Sequence, residues 1–510
     1  MTSAASVQHR AVAEVLSAVD DEDDKKEKRS SQNVDVPRWM YVAFCAETCA
    51  SVLLTATFNT FHVETFLTEY KLELSSYATG HAIYAAINTL NDIVGAAVLD
   101  SLSLTKGRAW LLQCGGLLWS LCFLLPWYPW PSYPAVHFVF SLSCYDTMYS
   151  FCAIAGGSLL TEMDITDSQR IHVLRVKSIF GMATTLLVTS LGQTLFPHKS
   201  AFRFFCAGLT LVSGVCFAVF YYAIERASPR RSLSRSAPSS IPTAGGAVPL
   251  KAVLGEFWHL SNFHAWLGME MCLETQANFN RSYLRLFVTT FVPDPAIAPL
   301  FVSILPVAKQ FIKIAAFSAL DRLGVYEVYK ISFRVKLAAA FVMLVLGGSS
   351  GASLPSWIVL AFIAVNTIVT DVPTGGFTVA MSNMHKEMSL RRLKIKRDAT
   401  KDPRTSRPNS WAFSSLSGMF MGLNAVFCKP MDSLLPILAA QWLQLAAADV
   451  GESNAATRTA MFQLLVGPPL VLSAIQIWSW SRYGLTREAM YVIDAEYTYL
   501  ALHGPSPTSP

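Results

Sequence analysis

Apolar residues along this chain arrive in blocks of about twenty, separated by short polar turns, and each block has the length a helix needs to cross a bilayer. About twelve such blocks are predicted. The first six lie near 38–66, 76–101, 108–127, 134–160, 171–196 and 201–225, and the next six near 263–289, 296–320, 328–349, 356–382, 411–446 and 457–481. Between the two sets runs ASPRRSLSRSAPSSIPTAGGAVP, whose Ser, Pro and Arg content cannot bury enough apolar surface to fold alone. The pattern therefore predicts an all-α polytopic membrane protein. Its parts are a polar tail over 1–37, a six-helix half over 38–226, a linker over 227–261, a second six-helix half over 262–482 and a tail over 483–510.

Composition agrees with this pattern, since 52% of the 510 residues are hydrophobic and only 15% charged. The net charge of +5 is too small and too scattered to mark a nucleic-acid partner. Where the positive charge lies says more. Loops after even-numbered blocks hold Lys106 and Arg108, then Arg170, Arg175 and Lys177, then Arg226 to Lys251, then Arg322 to Lys336, and a dense run from Lys386 to Arg407. Loops after odd-numbered blocks hold only Lys71, Lys199, Arg203 and Arg458. Because cytoplasmic loops are enriched in Lys and Arg, both termini and the linker are expected in the cytoplasm. The WYPWPSYP stretch at 127–134 suits the opposite interface, where aromatic rings sit among headgroups.

No cleavable signal precedes the first apolar block, which is expected to act as an uncleaved anchor. All ten cysteines fall inside apolar blocks without CxxC spacing, so they read as packing residues. No Ser-His-Asp set, His-x-x-x-His pair or Gly-rich phosphate loop stands out, and neither enzyme activity, a cofactor nor a metal site is expected.

The candidate chemistry lies in charges that hydrocarbon excludes. Asp92, in the second block, lies about 12 Å along the helix from Asp100, at 1.5 Å per residue. If Asp100 marks a surface, Asp92 is near mid-bilayer. Asn88 and Asp92 share a helix face, and with Asn91 they offer oxygens to a cation, a proton or a solute hydroxyl. The alternative is that Asp92 pairs with a base and only holds helices together. In the seventh block Glu270, Glu274, Asn278, Arg281 and Arg285 form one polar stripe, either lining a cavity or, for the two arginines, snorkelling at the outer interface. Lys309 and Lys313 on the eighth block and Lys429 on the eleventh are candidate partners for these glutamates. Asp146 and Asp371 each interrupt an apolar run, and Asp371 opens Asp-Val-Pro-Thr-Gly-Gly, a candidate hinge or a site of close backbone packing. Asp100, Gly107 and Arg108 after the second block, Arg170 after the fourth, and Asp321 and Arg322 after the eighth are candidate gating residues. A weak repeat sets Asp100 against Asp321 and Asp92 against Lys313.

Six plus six spans with a long central loop is the organisation expected of a twelve-helix major facilitator fold, with a solute site between the halves. Asn91-Asp92, Asp100 and Gly107-Arg108 resemble the second helix and following loop of the glycoside-pentoside-hexuronide:cation symporters. Glu162, Asp167, Arg170 and Lys177 resemble their loop after helix four, and Leu485-Thr486-Arg487-Glu488 their segment after helix twelve. The runs Asp321–Leu337 and Phe427-Cys428-Lys429-Pro430 are similar to a eukaryotic branch, the transmembrane protein 180-like proteins. The resemblance implies a secondary transporter for a small polar solute such as a sugar, coupled to a proton or monovalent cation and acting as a monomer in the lipid bilayer. It also implies a cation site of helix-two and helix-four aspartates, from which this chain departs. Asn88 stands at one carboxylate position, and the helix-four position falls near Cys152 or Ala153, so a sodium site of that type is not expected. A lipid or lysolipid carrier, and a non-transporting scaffold or receptor, remain the alternative readings.

Overall fold

The computed structural model describes residues 36–72, 74–130, 132–163, 165–227, 255, 257–292, 294, 296–348, 350–351, 354–401, 417–450 and 454–503. The expected N-terminal tail, nearly all of the linker with its Arg231–Ser234 run, and the end of the basic loop before 417 lie outside the described residues. Among the described residues there is no strand, and every long element is a helix.

In chain order the helices are α1 (Arg38–Thr68), α2 (Leu74–Lys106), α3 (Arg108–Cys122), α4 (Pro134–Glu162), α5 (Asp167–Leu195), α6 (Lys199–Ala227), α7 (Ser261–Phe291), α8 (Ile297–Gly347), α9 (Ser356–Asp371), α10 (Phe377–Lys401), α11 (Ser417–Val450), α12 (Asn454–Trp480) and α13 (Arg487–His503). Among the described residues, eight helical stretches are long and apolar enough to cross a membrane by length and composition alone. The chain is an integral, multi-pass membrane protein. α7 falls outside those eight because of its polar residues, yet Glu270, Thr275, Gln276 and Asn280 are buried within the protein, where a membrane helix must keep such groups. Gln276 and Asn366 both donate to Asn280 Oδ1, at 2.8 and 3.0 Å, which holds this buried side chain inside the protein.

α1 packs on α5 and α6, α3 on α4 and α6, and α2 on α4; after the linker, α7 packs on α11 and α12, and α8 on α9 and α12. The two groups meet where α2 and α4 lie against α11, α5 against α8, and α4 against α10.

Two expected spans, 296–320 and 328–349, are joined in α8 with a turn at Gly324 instead of a loop. Gly324 has φ +78° and ψ 167°, and Gly107 in the α2–α3 turn has φ +78° and ψ 149°, a region essentially reserved for glycine. The two turns are the equivalent corners of the weak repeat. They also correct its register, since Asp92 and Lys309 each lie 15 residues before their turn glycine. Lys309, rather than Lys313, is thus the counterpart of Asp92, and Asp321 has no counterpart in Asp100. A Cβ at either glycine meets nothing within 4 Å, so its cost is one of backbone conformation only. Gly107→Ala and Gly324→Ala are each expected to destabilise the protein by about 1–3 kcal/mol. Thermal unfolding in detergent checks this, and midpoints equal to the parent's contradict the turn assignment.

The expected tail after 483 holds a further helix. Thr486 begins α13, and Lys386 and Lys394 of α10 reach Asp494 and Glu496 of α13 at 3.1 and 2.8 Å. α10 itself continues to Lys401, so part of the predicted basic loop is a helical extension.

Candidate functional site

Asp92 is 1% exposed, near the middle of α2, and its Oδ2 lies 2.7 Å from Lys429 Nζ on α11. A buried carboxylate needs such a partner, because an unpaired ion away from water is costly. The same ammonium donates to Asn88 Oδ1 at 2.6 Å and to Ser150 Oγ of α4 at 3.1 Å. Three oxygens from the first helix group therefore hold one cation from the second. Asn91 turns the other way and donates to Thr147 Oγ1 of α4 at 2.5 Å. Asp146, one helical turn before Ser150, stands within electrostatic range of both Asp92 and Lys429, and Tyr84 hydrogen-bonds its carboxylate.

Beyond this junction lies a second charged cluster. Lys309 and Lys313, one turn apart on α8, share Asp371 of α9 at 3.3 and 3.9 Å, and Lys313 donates to Thr374 Oγ1 at 2.6 Å. Thr374 sits there because Pro373–Gly376 form a single 3₁₀ turn that interrupts the helix. Gly375 and Gly376 pack against Phe317, Leu320 and Tyr329 of α8, so the segment is both a helix break and a close contact. Tyr149 of α4 lies between the Asp92–Asp146 groups and Glu274, which is itself within electrostatic range of Lys313 and Asp371. It is 38% exposed, yet within electrostatic range of Asp92, Asp146, Glu274 and Arg281.

Toward the basic-loop end, Asp100 is buried and joins the groups again. It accepts from Arg108 at 2.7 Å, and its two oxygens accept from the backbone N–H groups of Gly418 and Met419, at 3.1 and 2.7 Å, in the first turn of α11. A carboxylate on a helix N-terminus satisfies donors that the helix cannot and meets the positive end of its dipole. Arg108 also binds Glu162 at 2.7 Å. The contact is close because α11 presents Gly418 and Gly422 at small-x-x-x-small spacing to Asp92, Ala96 and Asp100 of α2. A Cβ on Gly422 would stand 2.8 Å from the Asp92 carbonyl oxygen. Ser382 of α10 donates to the Thr161 carbonyl of α4 at 3.3 Å on the same side.

Residues 43–388 match the model of the MFS/sugar transport protein family. The chain belongs to this family. It is 24% identical to Transmembrane protein 180 of Mus musculus over 497 residues, covering 88% of this chain and 93% of that one. Identity to Transmembrane protein 180 of Gallus gallus is 21% over 495 residues, covering 87% and 92%. Among solved structures, a bacterial homologue of the iron transporter ferroportin in an outward-facing state matches with a TM-score of 0.59 at 14% identity, covering 87% of this chain and 99% of that one. The proton:xylose symporter XylE matches with a TM-score of 0.57 at 11% identity, covering 89% and 99%. The chain has the major facilitator transporter fold and is similar throughout to the transmembrane protein 180 branch.

Within this MFS protein several sequence expectations are corrected. Lys429 does not reach Glu270 or Glu274, because α11 turns it toward Asp92 of the other helix group. Lys309 and Lys313 go to Asp371, although Lys313 remains within electrostatic range of Glu274. Glu270 is 2% exposed, and its Oε2 has no hydrogen-bond partner among the described residues. Glu274 and Asn278 are half-buried, while Arg281 and Arg285 are exposed at the end of the stripe. Asp321 and Arg322 are exposed, and neither forms an ion pair among the described residues; only the Arg322 carbonyl is engaged, by Arg487 at 3.0 Å. Arg170 instead braces its own loop, binding Asp167 and the carbonyls of Leu160 and Met163.

Sequence reasoning also sought a helix-four carboxylate near Cys152 and missed that Asp146, almost two turns earlier, faces Asp92. The missed signals were the Gly418-x-x-x-Gly422 spacing, which marks α11 as the partner of α2, and the four-residue interval from Asp146 to Ser150. No disulfide joins the cysteines, and no group of metal-binding residues occurs, among the described residues.

Proposed function

We propose that this chain is a secondary active transporter that moves a small polar solute, such as a sugar or related metabolite, by alternating access coupled to protons or a monovalent cation. Twelve spans in two six-helix halves, 38–226 and 262–482, rock about the α2–α11 and α5–α8 contacts, with the termini and the basic-loop end in the cytoplasm. The observation that carries this reading is the Asp92–Lys429 pair, a buried ionic contact made between the two groups where they must part. In this reading Asp100, Arg108 and Glu162 close the cytoplasmic side, and the charged groups around Tyr149 receive the solute.

The pair also suggests how coupling works. Lys429 holds the oxygens that a coupling cation would use, so a proton on Asp92 releases Lys429 and lets α2 separate from α11. Reconstituted vesicles with an imposed proton gradient, tested on radiolabelled hexoses, pentoses and amino acids, provide the measurement. Asp92→Asn is expected to abolish accumulation while leaving exchange partly intact. Equal accumulation by variant and parent defeats the coupling role, and no uptake of any solute by the parent defeats transport.

A further inference from the structure

The charges around the central space are not evenly shared. Asp92 and Asp146 on the α2–α4 side have one cation between them, Lys429, so that side carries an excess negative charge. Asp146 Oδ2 is buried and has no hydrogen-bond partner among the described residues. On the α8–α9 side the balance is reversed, since Lys309 and Lys313 have one aspartate between them, Asp371. Glu274 lies within electrostatic range of Arg281, Asp371 and Lys313, and counting it together with Arg281 leaves the excess positive charge on this side unchanged. The Lys309, Lys313, Asp371 and Lys429 side chains are 19–28% exposed and Asp146 is half-buried, so each cluster keeps an accessible part although Asp92 is enclosed.

We infer that the solute is a zwitterion, its ammonium drawn to Asp92 and Asp146 and its carboxylate or phosphate to Lys309 and Lys313. A neutral sugar leaves both excess charges unmatched, a simple anion satisfies one side and faces repulsion at the other, and a simple cation does the reverse. A molecule carrying both charges complements each side and connects the two helix groups through itself. The same chemistry occurs in a free amino acid or phosphorylated amine and in the headgroup of a zwitterionic lysolipid. The inference rests on the transporter reading for the identity of the space, but its test is a binding measurement.

The test is thermal stabilisation of the purified full chain in detergent by glycine, glutamine, phosphoethanolamine and lysophosphatidylcholine, compared with xylose, glucose, acetate and methylammonium. At least one zwitterion is expected to raise the unfolding temperature saturably while the other four do not. Lys309→Gln with Lys313→Gln, and separately Asp146→Asn, are each expected to weaken that binding about tenfold or more, through loss of a charge-assisted contact. Lys309→Arg with Lys313→Arg is expected to retain it. Stabilisation by lysophosphatidylcholine alone assigns the ligand to lipid headgroups, and stabilisation by the free compounds assigns it to soluble metabolites. A sugar bound equally by parent and variants, or no zwitterion stabilising the parent, overturns the inference, and the parent result decides if a variant does not fold. Binding of a zwitterion without uptake into vesicles leaves the ligand class standing and defeats the transporter reading instead.

Discussion

Lys429→Met is expected to destabilise the protein by about 3 kcal/mol or more, because it keeps the side-chain volume and strands Asp92 as an unpaired buried carboxylate. Asp92 is almost wholly enclosed, and its remaining neighbours cannot offset the lost ammonium: Asn88 supplies an oxygen to the lysine, and Asp146 repels. Removing both charges at once is a different matter. Asp92→Asn combined with Lys429→Met is expected to recover to within about 1 kcal/mol of the parent, since a buried pair replaced by neutral groups loses its desolvation penalty along with its attraction. Chemical unfolding of the four proteins in mixed micelles closes the cycle. If both single substitutions are nearly neutral, the pair does not bind the helix groups together and its proposed role in coupling fails with it.

Asp100→Asn is expected to open the lock at the basic-loop end. The carboxylate accepts from Arg108, Gly418 and Met419 at once, and an amide offers one acceptor oxygen and no charge. Charge-assisted hydrogen bonds are worth about 1.5–3 kcal/mol each, so a loss of about 3 kcal/mol shifts the closed-to-open ratio by more than a hundredfold. Arg108 keeps Glu162, which leaves the α3–α4 contact in place and confines the effect to the junction with α11. Disulfide formation between Thr161→Cys and Ser382→Cys reports closure, because these residues already touch across α4 and α10. The native cysteines, none of them in a disulfide among the described residues, must first be replaced. Fast crosslinking is expected with Asp100 present and slow crosslinking with Asn; equal rates contradict a lock.

Much of the scaffold was legible because it depends on local rules. Blocks of about twenty apolar residues specify helices in a bilayer regardless of their neighbours. Gly107 and Gly324 mark the tight turns because few other residues accept that backbone conformation. Asp100 and Arg108 were legible as members of one turn from sequence position, while their ion pair came from the structure. The register of the repeat was misjudged because Asp321 resembles Asp100 in type, whereas the turn glycine is what defines equivalent positions. α13 was missed as an element because its support comes from Lys386 and Lys394 on α10, a hundred residues earlier in the chain.

The sequence by itself determined that this is a multi-pass helical membrane protein of the major facilitator kind, and that Asp92, Asp146, Glu270, Lys309, Lys313, Asp371 and Lys429 sit in segments where charge is costly. Helical periodicity assigns each of them a face, and hydrophobicity forbids that face to lipid. Neither says which helix will lie opposite. Only the tertiary structure decided that Lys429 belongs to Asp92, that Lys309 and Lys313 share Asp371, and that Asp100 caps α11. The physical reason is that several pairings would satisfy the same cost of burial. The choice among them was made by backbone approach, where Gly418 and Gly422 let α11 come against Ala96 and bring Lys429 within reach of Asp92.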